Sequence, residues 1–297
     1  MNNKLSNLTV NILTHRTNVK ILTDCVKSLS KDVTINIIEN SENFENKDIF
    51  RKFEQNVNII CTGNNLGYAG GHNYGIANVK TRYVLVLNPD LVCKKDYFFN
   101  IQKYLSEEIN FHIIGSQYEE HKMDKPAFGI FNNEKYNPNI PVNENNLQSV
   151  DWVVGCSMLI DLNKFESRKI FDDNFFLFYE ETDLCKRVKL MKGEVFTSKD
   201  LIIDHYGEKG SFATEKDTEY SYLKLRNWHL MWSSFYFYKK NFNYFYALKI
   251  LFGTFVKSFF KIIFFGIIFN RYNYTKHLHR FLGLYNSMIG KKSWFRV

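Results

Sequence analysis

Five short runs in the first 118 residues are apolar almost without a break: Leu8–Leu13, Val33–Ile38, Val57–Ile60, Tyr83–Leu87 and Phe111–Gly115. Rich in Val, Ile and Leu and lacking an apolar/polar alternation, they suit parallel strands covered on both faces. Between them, Val19–Leu29, Ala69–Val79 and Tyr97–Glu108 carry helical spacing. Strand–helix alternation leaves few architectures open. It predicts βαβ units in a doubly wound α/β sheet, with ligands bound past the carboxyl ends of the strands. That rule singles out Thr14-His15, Glu39-Asn40, Thr62–Asn65 and Asn88–Asp90.

The rest of the chain divides into two regions. Residues 119–150 are polar and Asn-rich and read as a long loop. Trp152–Asp161 is a further apolar run, Glu180–Lys192 an amphipathic helix and Glu194–His205 a last strand. After Glu219 there is no Asp or Glu, yet 13 Lys and Arg and 25 of the chain's 50 aromatic residues follow. Residues before 220 hold the remaining 26 basic and all 31 acidic side chains. This break predicts a boundary near 220, between a first part over 1–219 and a basic, aromatic, helical part over 220–297. Five scattered cysteines without a C-x-x-C pair argue against a disulfide framework or structural zinc and favour a reducing cytoplasm. The opening MNNKLSNLTV lacks the pattern of a secretory leader.

Four segments could carry chemistry. Gly63–Gly75 holds five glycines in thirteen residues between a strand and a helix. That suits either a backbone cradle for a diphosphate or close helix–strand packing. Asn88-Pro89-Asp90 ends the most apolar strand; Asp90 there suits a hard cation, or else caps a turn. In FFLFYEETDLCKR, Glu180, Glu181 and Asp183 stand beside an aromatic wall that would raise a carboxylate's pKa. The competing reading is a negatively charged first helical turn with an Asp183–Arg187 ion pair. His205, closing the last strand, is either structural or a partner of Asp90 in a mixed oxygen and nitrogen site.

Taken in order, ILTHR, IIENS, NNLGYAGGHNYGI, VLNPD, and DWVVGCSMLI followed by FFLFYEETDLCKR resemble glycosyltransferase family 2 over about residues 8–215. The likeness is to its bacterial rhamnosyltransferase-like branch. The resemblance implies a GT-A fold, a nucleotide-diphospho-sugar donor, Mg²⁺ or Mn²⁺, and inversion at the anomeric carbon. By position, Thr14 and Glu39 would contact base and ribose, beside His15. Asn65, Gly67 and Asn73 would lie in the donor loop, and Asn88 and Asp90 in the D-x-D element, with Asp90 and His205 on the metal. Glu181 would be the catalytic base, flanked by Glu180 and Asp183, and Asp151, Trp152 and Gly155 would line the acceptor side. Three positions depart from the family pattern: Glu39 and Glu181 stand where Asp is usual, and Asn88 replaces the first Asp of D-x-D.

Phe245–Phe269 is interrupted by Lys249, Lys257 and Lys261, which fall within 120° on a helical wheel. This favours a helix lying in a membrane interface over a protein interface, a dimer contact or a true span. No nucleic-acid module is visible. The expectation is a cytoplasmic transferase, peripheral on the inner face of a bacterial inner membrane. It would move a sugar such as rhamnose from dTDP to a lipid-linked glycan in lipopolysaccharide or capsule synthesis. A UDP-hexose or UDP-galactofuranose donor, and a catalytically silent membrane-bound scaffold, are the alternatives.

Overall fold

The computed structural model describes residues 4–53, 56–118, 128–129, 141–205 and 216–296. They pack as two compact units. The first runs to Leu66 and takes in Gly70–Phe171 and the stretch from Glu181 through the last strand. The second comprises Gly67–Ala69, Asp172–Glu180 and the helices after residue 215.

The first unit is built on a nine-stranded sheet. Strands β1 (Leu8–Thr14), β2 (Thr34–Glu39), β3 (Asn56–Cys61) and β4 (Tyr83–Leu87) are parallel, in the order β3-β2-β1-β4. Helix α1 (Val19–Lys27) follows β1, the one-turn α2 (Lys47–Phe50) follows β2, and α3 (Gly67–Ala77) follows β3. All five residues of β4 are buried, as a strand covered on both faces requires. The short β5 (Leu91–Cys93), helix α4 (Tyr97–Ser106), β6 (Ile113–Tyr118) and β7 (Phe128–Gly129) come next, then β8 (Leu147–Ser149), β9 (Trp152–Val153) and β10 (Ser157–Asp161). Antiparallel β10 wedges between β4 and β6. Its far end is pinned by a bidentate Arg82–Asp161 pair with Nη2 at 2.7 Å. Helix α5 (Glu180–Leu190) leads to β11 (Val195–His205), which runs parallel to β6 and antiparallel to β5 and β8.

Several boundaries moved. The expected strand from Phe111 begins at Ile113, and the apolar run Trp152–Asp161 is two strands, not one. Helix α3 begins at Gly67 rather than Ala69, so most of the glycine-rich segment is helix. The reason is steric. A Cβ at Gly71 would collide with Leu13, and one at Gly75 would sit 2.6 Å from Asn11 Nδ2 and 2.7 Å from Ile38. These glycines let α3 lie directly on β1 and β2. Of the Asn-rich stretch 119–150, most lies outside the described residues; its end forms β8.

The second unit holds three long helices, α6 (Lys216–Asn241), α7 (Tyr244–Ile267) and α8 (Arg271–Met288). Gly283 of α8 leaves no space for a Cβ against the Trp228 backbone, and Ser287 Oγ donates to Trp232 O at 3.0 Å. Small residues four apart thus bring α8 onto α6. Helix α7 is the one described helix long and apolar enough to cross a membrane, and it is largely uncovered. Only Ala247, Leu251 and Ser258 of it are fully buried, while Phe245, Phe252, Phe259, Phe260, Ile263 and Phe264 are exposed.

Candidate functional site

The carboxyl ends of β1, β2 and β3 are stitched by side chains rather than by backbone alone. Glu39, 1% exposed, accepts from Thr14 Oγ1 and Ser41 Oγ, each at 2.7 Å. Arg16, turned to φ 52°, presents its N–H at 3.3 Å to Oε1 of the same carboxylate, the oxygen that also accepts from Ser41. The extra methylene of Glu lets one carboxylate reach three donors. His15 Nδ1 lies 3.0 Å from Asn40 O, an acceptor only, so Nδ1 carries the proton and Nε2 accepts from Asn65 Nδ2 at 3.3 Å. Burial lowers the His15 pKa, with the Asn40 carbonyl opposing, so the ring is neutral near pH 7. Asn40 completes the web, donating to Asn65 Oδ1 at 3.1 Å and accepting from the Leu66 N–H at 2.9 Å. Thr14, His15, Glu39 and Asn65 are therefore one network. Asn40 and Ser41 belong to it too; the strand-end rule pointed at Asn40, and Ser41 closes the IIENS run without having been singled out.

Beside this network, β4 delivers Asn88 and Asp90. Asn88 N–H donates to Cys156 O at 2.8 Å, tying the turn to the residue before β10. Asp90 is 2% exposed. The β11–β5 register sets His205 opposite Leu91, one residue beyond Asp90; the His205 side chain lies outside the described part of the structure. Among the described residues no three His, Cys, Asp or Glu side chains converge as a metal cluster. One buried carboxylate at a strand end still fits a hard cation, because Mg²⁺ takes most of its oxygens from substrate phosphates and water.

Glu181 opens α5. Burial pushes its pKa up to about 7, against the restraint of hydrogen bonds from its own N–H and from the N–H and hydroxyl of Thr182. A helix N-terminus favours the charged form, so burial is the stronger influence here. Asp90 and Glu181 both contribute to raising the Cys156 and Tyr118 pKa values, after burial itself. The two carboxylates therefore share the neighbourhood of the Tyr118 hydroxyl and Cys156 thiol, which lie 3.3 Å apart. That thiol is pushed up to about 12 by burial, as are Cys93 and Cys185, which disfavours a thiolate nucleophile at any of the three.

The other two acidic residues of the segment differ. Asp183 is fully buried and holds Arg187 Nε at 2.9 Å, while Arg187 Nη2 donates to Ile170 O at 2.6 Å. The i,i+4 ion pair weighed from the sequence is present. Glu180, 4% exposed, belongs to the second unit. The two residues before it, Phe178 and Tyr179, are both left-handed at φ 69° and 70°. That conformation costs about 1–2 kcal/mol for each L-residue, and such outliers cluster at functional sites.

Asn73 is not with the strand-end network. Its amide is bonded both ways to the Phe171 main chain, at 2.9 and 3.0 Å, well along α3. Gly67, at φ 76°, is packed against Phe176 with no room for a Cβ. On the expected acceptor side, Trp152 pairs with Gly129, and Asp151 is half-buried while Gly155 is buried. The Cys185 thiol meets the Val153 backbone, which sets β9 beside α5 one turn beyond Glu181.

A mainly parallel sheet with an antiparallel strand wedged into it, carrying buried carboxylates past its strand ends, is the GT-A architecture of sugar transferases. The chain belongs to glycosyltransferase family 2: the profile of the family, glycosyl transferase family 2, matches residues 9–196. The low-salt glycan biosynthesis hexosyltransferase Agl10 of Haloferax volcanii is 28% identical over 182 residues, 58% of each chain. The rhamnosyltransferase WbbL of Escherichia coli K12 is 26% identical over 149 residues, 43% of this chain and 56% of that one. This chain thus spans a little over half the length of the curated relatives it matches. The crystal structure of GalNAc-T7 with UDP, GalNAc and Mn²⁺ superposes with a TM-score of 0.57 at 11% identity, covering 79% of this chain and 50% of that one, and shows the shared fold.

Proposed function

We propose that the protein is an inverting hexosyl- or rhamnosyltransferase that uses a nucleotide-diphospho-sugar and acts on a lipid-linked glycan. The observation that carries this is that Asp90 and Glu181 share the surroundings of the Tyr118 hydroxyl and Cys156 thiol, which lie 3.3 Å apart, with burial raising the Glu181 carboxyl. A carboxylate raised in this way suits the removal of the acceptor hydroxyl's proton as the anomeric carbon is attacked. The network of Thr14, His15, Glu39 and Asn65 holds the base and ribose of the donor. Asp90, with His205 in register beside it, would hold Mg²⁺ or Mn²⁺, which when bound offsets charge on the departing diphosphate. Asp151, Trp152 and Gly155 face the acceptor. That GalNAc-T7 binds UDP and Mn²⁺, and that a curated relative is a rhamnosyltransferase, supports this donor and cation chemistry.

The second unit's role in this reading is attachment. The exposed apolar side of α7 carries Lys249 and Lys257, in a region without one acidic residue, and suits the headgroup level of an anionic bilayer. In this reading the protein works at the inner face of a bacterial membrane, where lipid-linked glycans for surface polysaccharide would be built. A homodimer through the same face is the competing occupant. Salt-sensitive binding to anionic vesicles supports the membrane; a dimer in vesicle-free solution supports the protein interface.

The decisive experiment is calorimetry with UDP, dTDP, GDP and CDP, with and without Mn²⁺, on the protein and on Asp90→Ala. Metal-dependent binding of one nucleotide, lost in Asp90→Ala, is the expected result and names the donor class. Binding of none would overturn the transferase reading in favour of a silent scaffold.

A further inference from the structure

The segment Asp172–Tyr179 is held along one stripe of α6. Asp172 takes Lys240 Nζ at 2.7 Å and the Tyr236 hydroxyl at 3.2 Å. Phe175 packs edge-on to Tyr236, and Leu177 O accepts from Ser233 Oγ at 2.8 Å. Tyr179 meets Phe237 with ring centres 5.2 Å apart. Residues 229, 233, 236, 237 and 240 have the spacing of a single helical face, so α6 forms a rack for this segment.

Phe176 is the point where the rack meets the donor loop. Its ring is stacked on His229 at 4.6 Å, and the Arg296 guanidinium lies over it, 3.5 Å from the ring centre. Both partners are fixed in turn. His229 Nε2 is 2.8 Å from Phe295 O and Nδ1 is 3.1 Å from Ser293 Oγ, while Arg296 Nη1 donates to Ser293 O and Phe295 O. The Phe176 carbonyl accepts the Tyr68 N–H at 2.7 Å, and the Phe176 ring and carbonyl fill the space a Gly67 side chain would need. Two residues on, the left-handed pair Phe178-Tyr179 turns the chain toward Glu180.

We propose that His229 and Arg296 are positioning residues of the transferase: clamping Phe176 between them, they set the Gly67-Tyr68 stretch of the donor loop and the left-handed turn at Phe178-Tyr179. This rests on the transferase reading. Both clamp residues lie outside the 9–196 match to the family. A cation over an aromatic ring depends on charge, not on guanidinium shape alone, so Lys at 296 preserves much of the grip and Gln none.

The test uses the full chain with Arg296→Gln, Arg296→Lys and Phe176→Leu. Readouts are kcat and donor KM for transfer, melting temperature, and hydrogen exchange at the Tyr68 amide. Arg296→Gln should lower kcat on the order of 10-fold and raise donor KM about 3-fold, because small misplacements of reacting groups are costly. Tyr68 exchange should quicken, and Arg296→Lys should recover most of each loss. Phe176→Leu should reproduce the Gln result. Unchanged kinetics and exchange in Arg296→Gln overturn the clamp, as do equal losses in Gln and Lys that track melting temperature. A wild-type protein that transfers from no donor sinks the transferase reading instead. The clamp is then decided by Tyr68 exchange and by nucleotide affinity, which it must weaken together if it holds the loop.

Discussion

Strand β4 and helix α7 are both dense in apolar residues, and they end in opposite surroundings. Every residue of YVLVL in β4 is buried, while most of the large apolar side chains of α7 are exposed. In the sheet unit, an apolar run is matched by other elements of the same chain, and the polar groups of the candidate site stand at the strand ends. In the helical unit the same kind of run has a packed face and an uncovered one. Apolar pattern therefore reports burial only where the chain itself supplies the partner.

The largest effect that would test this contrast is at the polar end of the sheet. Glu181→Gln should cut kcat by about 10²–10⁴-fold while nucleotide binding, followed by calorimetry, stays within a few-fold. An equal loss of binding would move Glu181 from base to donor contact. On the uncovered face of α7, Phe259→Glu with Phe260→Glu should weaken binding to anionic vesicles by about 10-fold or more, as each buried Phe contributes about 1.5–3 kcal/mol. The fold should persist, since both side chains already face outward. Weakened dimerisation in place of weakened vesicle binding would transfer the face to a protein partner.

The same substitution in each unit sharpens the comparison further. Gly75→Ala should destabilise by about 1–3 kcal/mol, because the new methyl meets Asn11 and Ile38. Gly253→Ala, with nothing within 4 Å of its added Cβ, should stabilise α7 by about 0.5–1 kcal/mol. Chemical denaturation of both variants reads the two signs. The smallest effect is in pH. A carboxyl raised from 4.5 to about 7 is protonated more readily folded than unfolded, so its contribution favours the fold below that window and is lost as pH rises through it. Melting temperature should therefore fall less between pH 5.5 and 8 in Glu181→Gln than in the wild type, over a window set by those values. Activity should move the opposite way, rising toward alkaline pH with a midpoint near 7.

Much of the sheet was readable because its rules are local. Tyr83–Leu87 was bounded correctly, and the other three parallel strands began or ended within a residue of their expected limits. The strand-end rule then directed attention to Thr14, His15, Glu39, Asn40, Asn65 and Asp90 without any contact being known. Leu91–Cys93 escaped notice because three residues carry no period. The glycine-rich segment was ambiguous for a different reason. A glycine that cradles a phosphate and one that admits a neighbouring strand look identical in sequence, and only Leu13, Asn11 and Ile38 reveal the second use.

By itself the sequence determined the alternation of the main strands and helices over the first 118 residues, the acid-free region after Glu219, and the residue types at the strand ends, since these follow from periodicity and composition along the chain. The tertiary structure decided which of them meet. It joined His15 to Asn65 across fifty positions, buried Glu181 enough to raise its carboxyl pKa, and set Phe176 between His229 and Arg296. Hydrogen bonds, desolvation and ring stacking depend on distances between residues remote in the chain, and those distances exist only once the chain has folded.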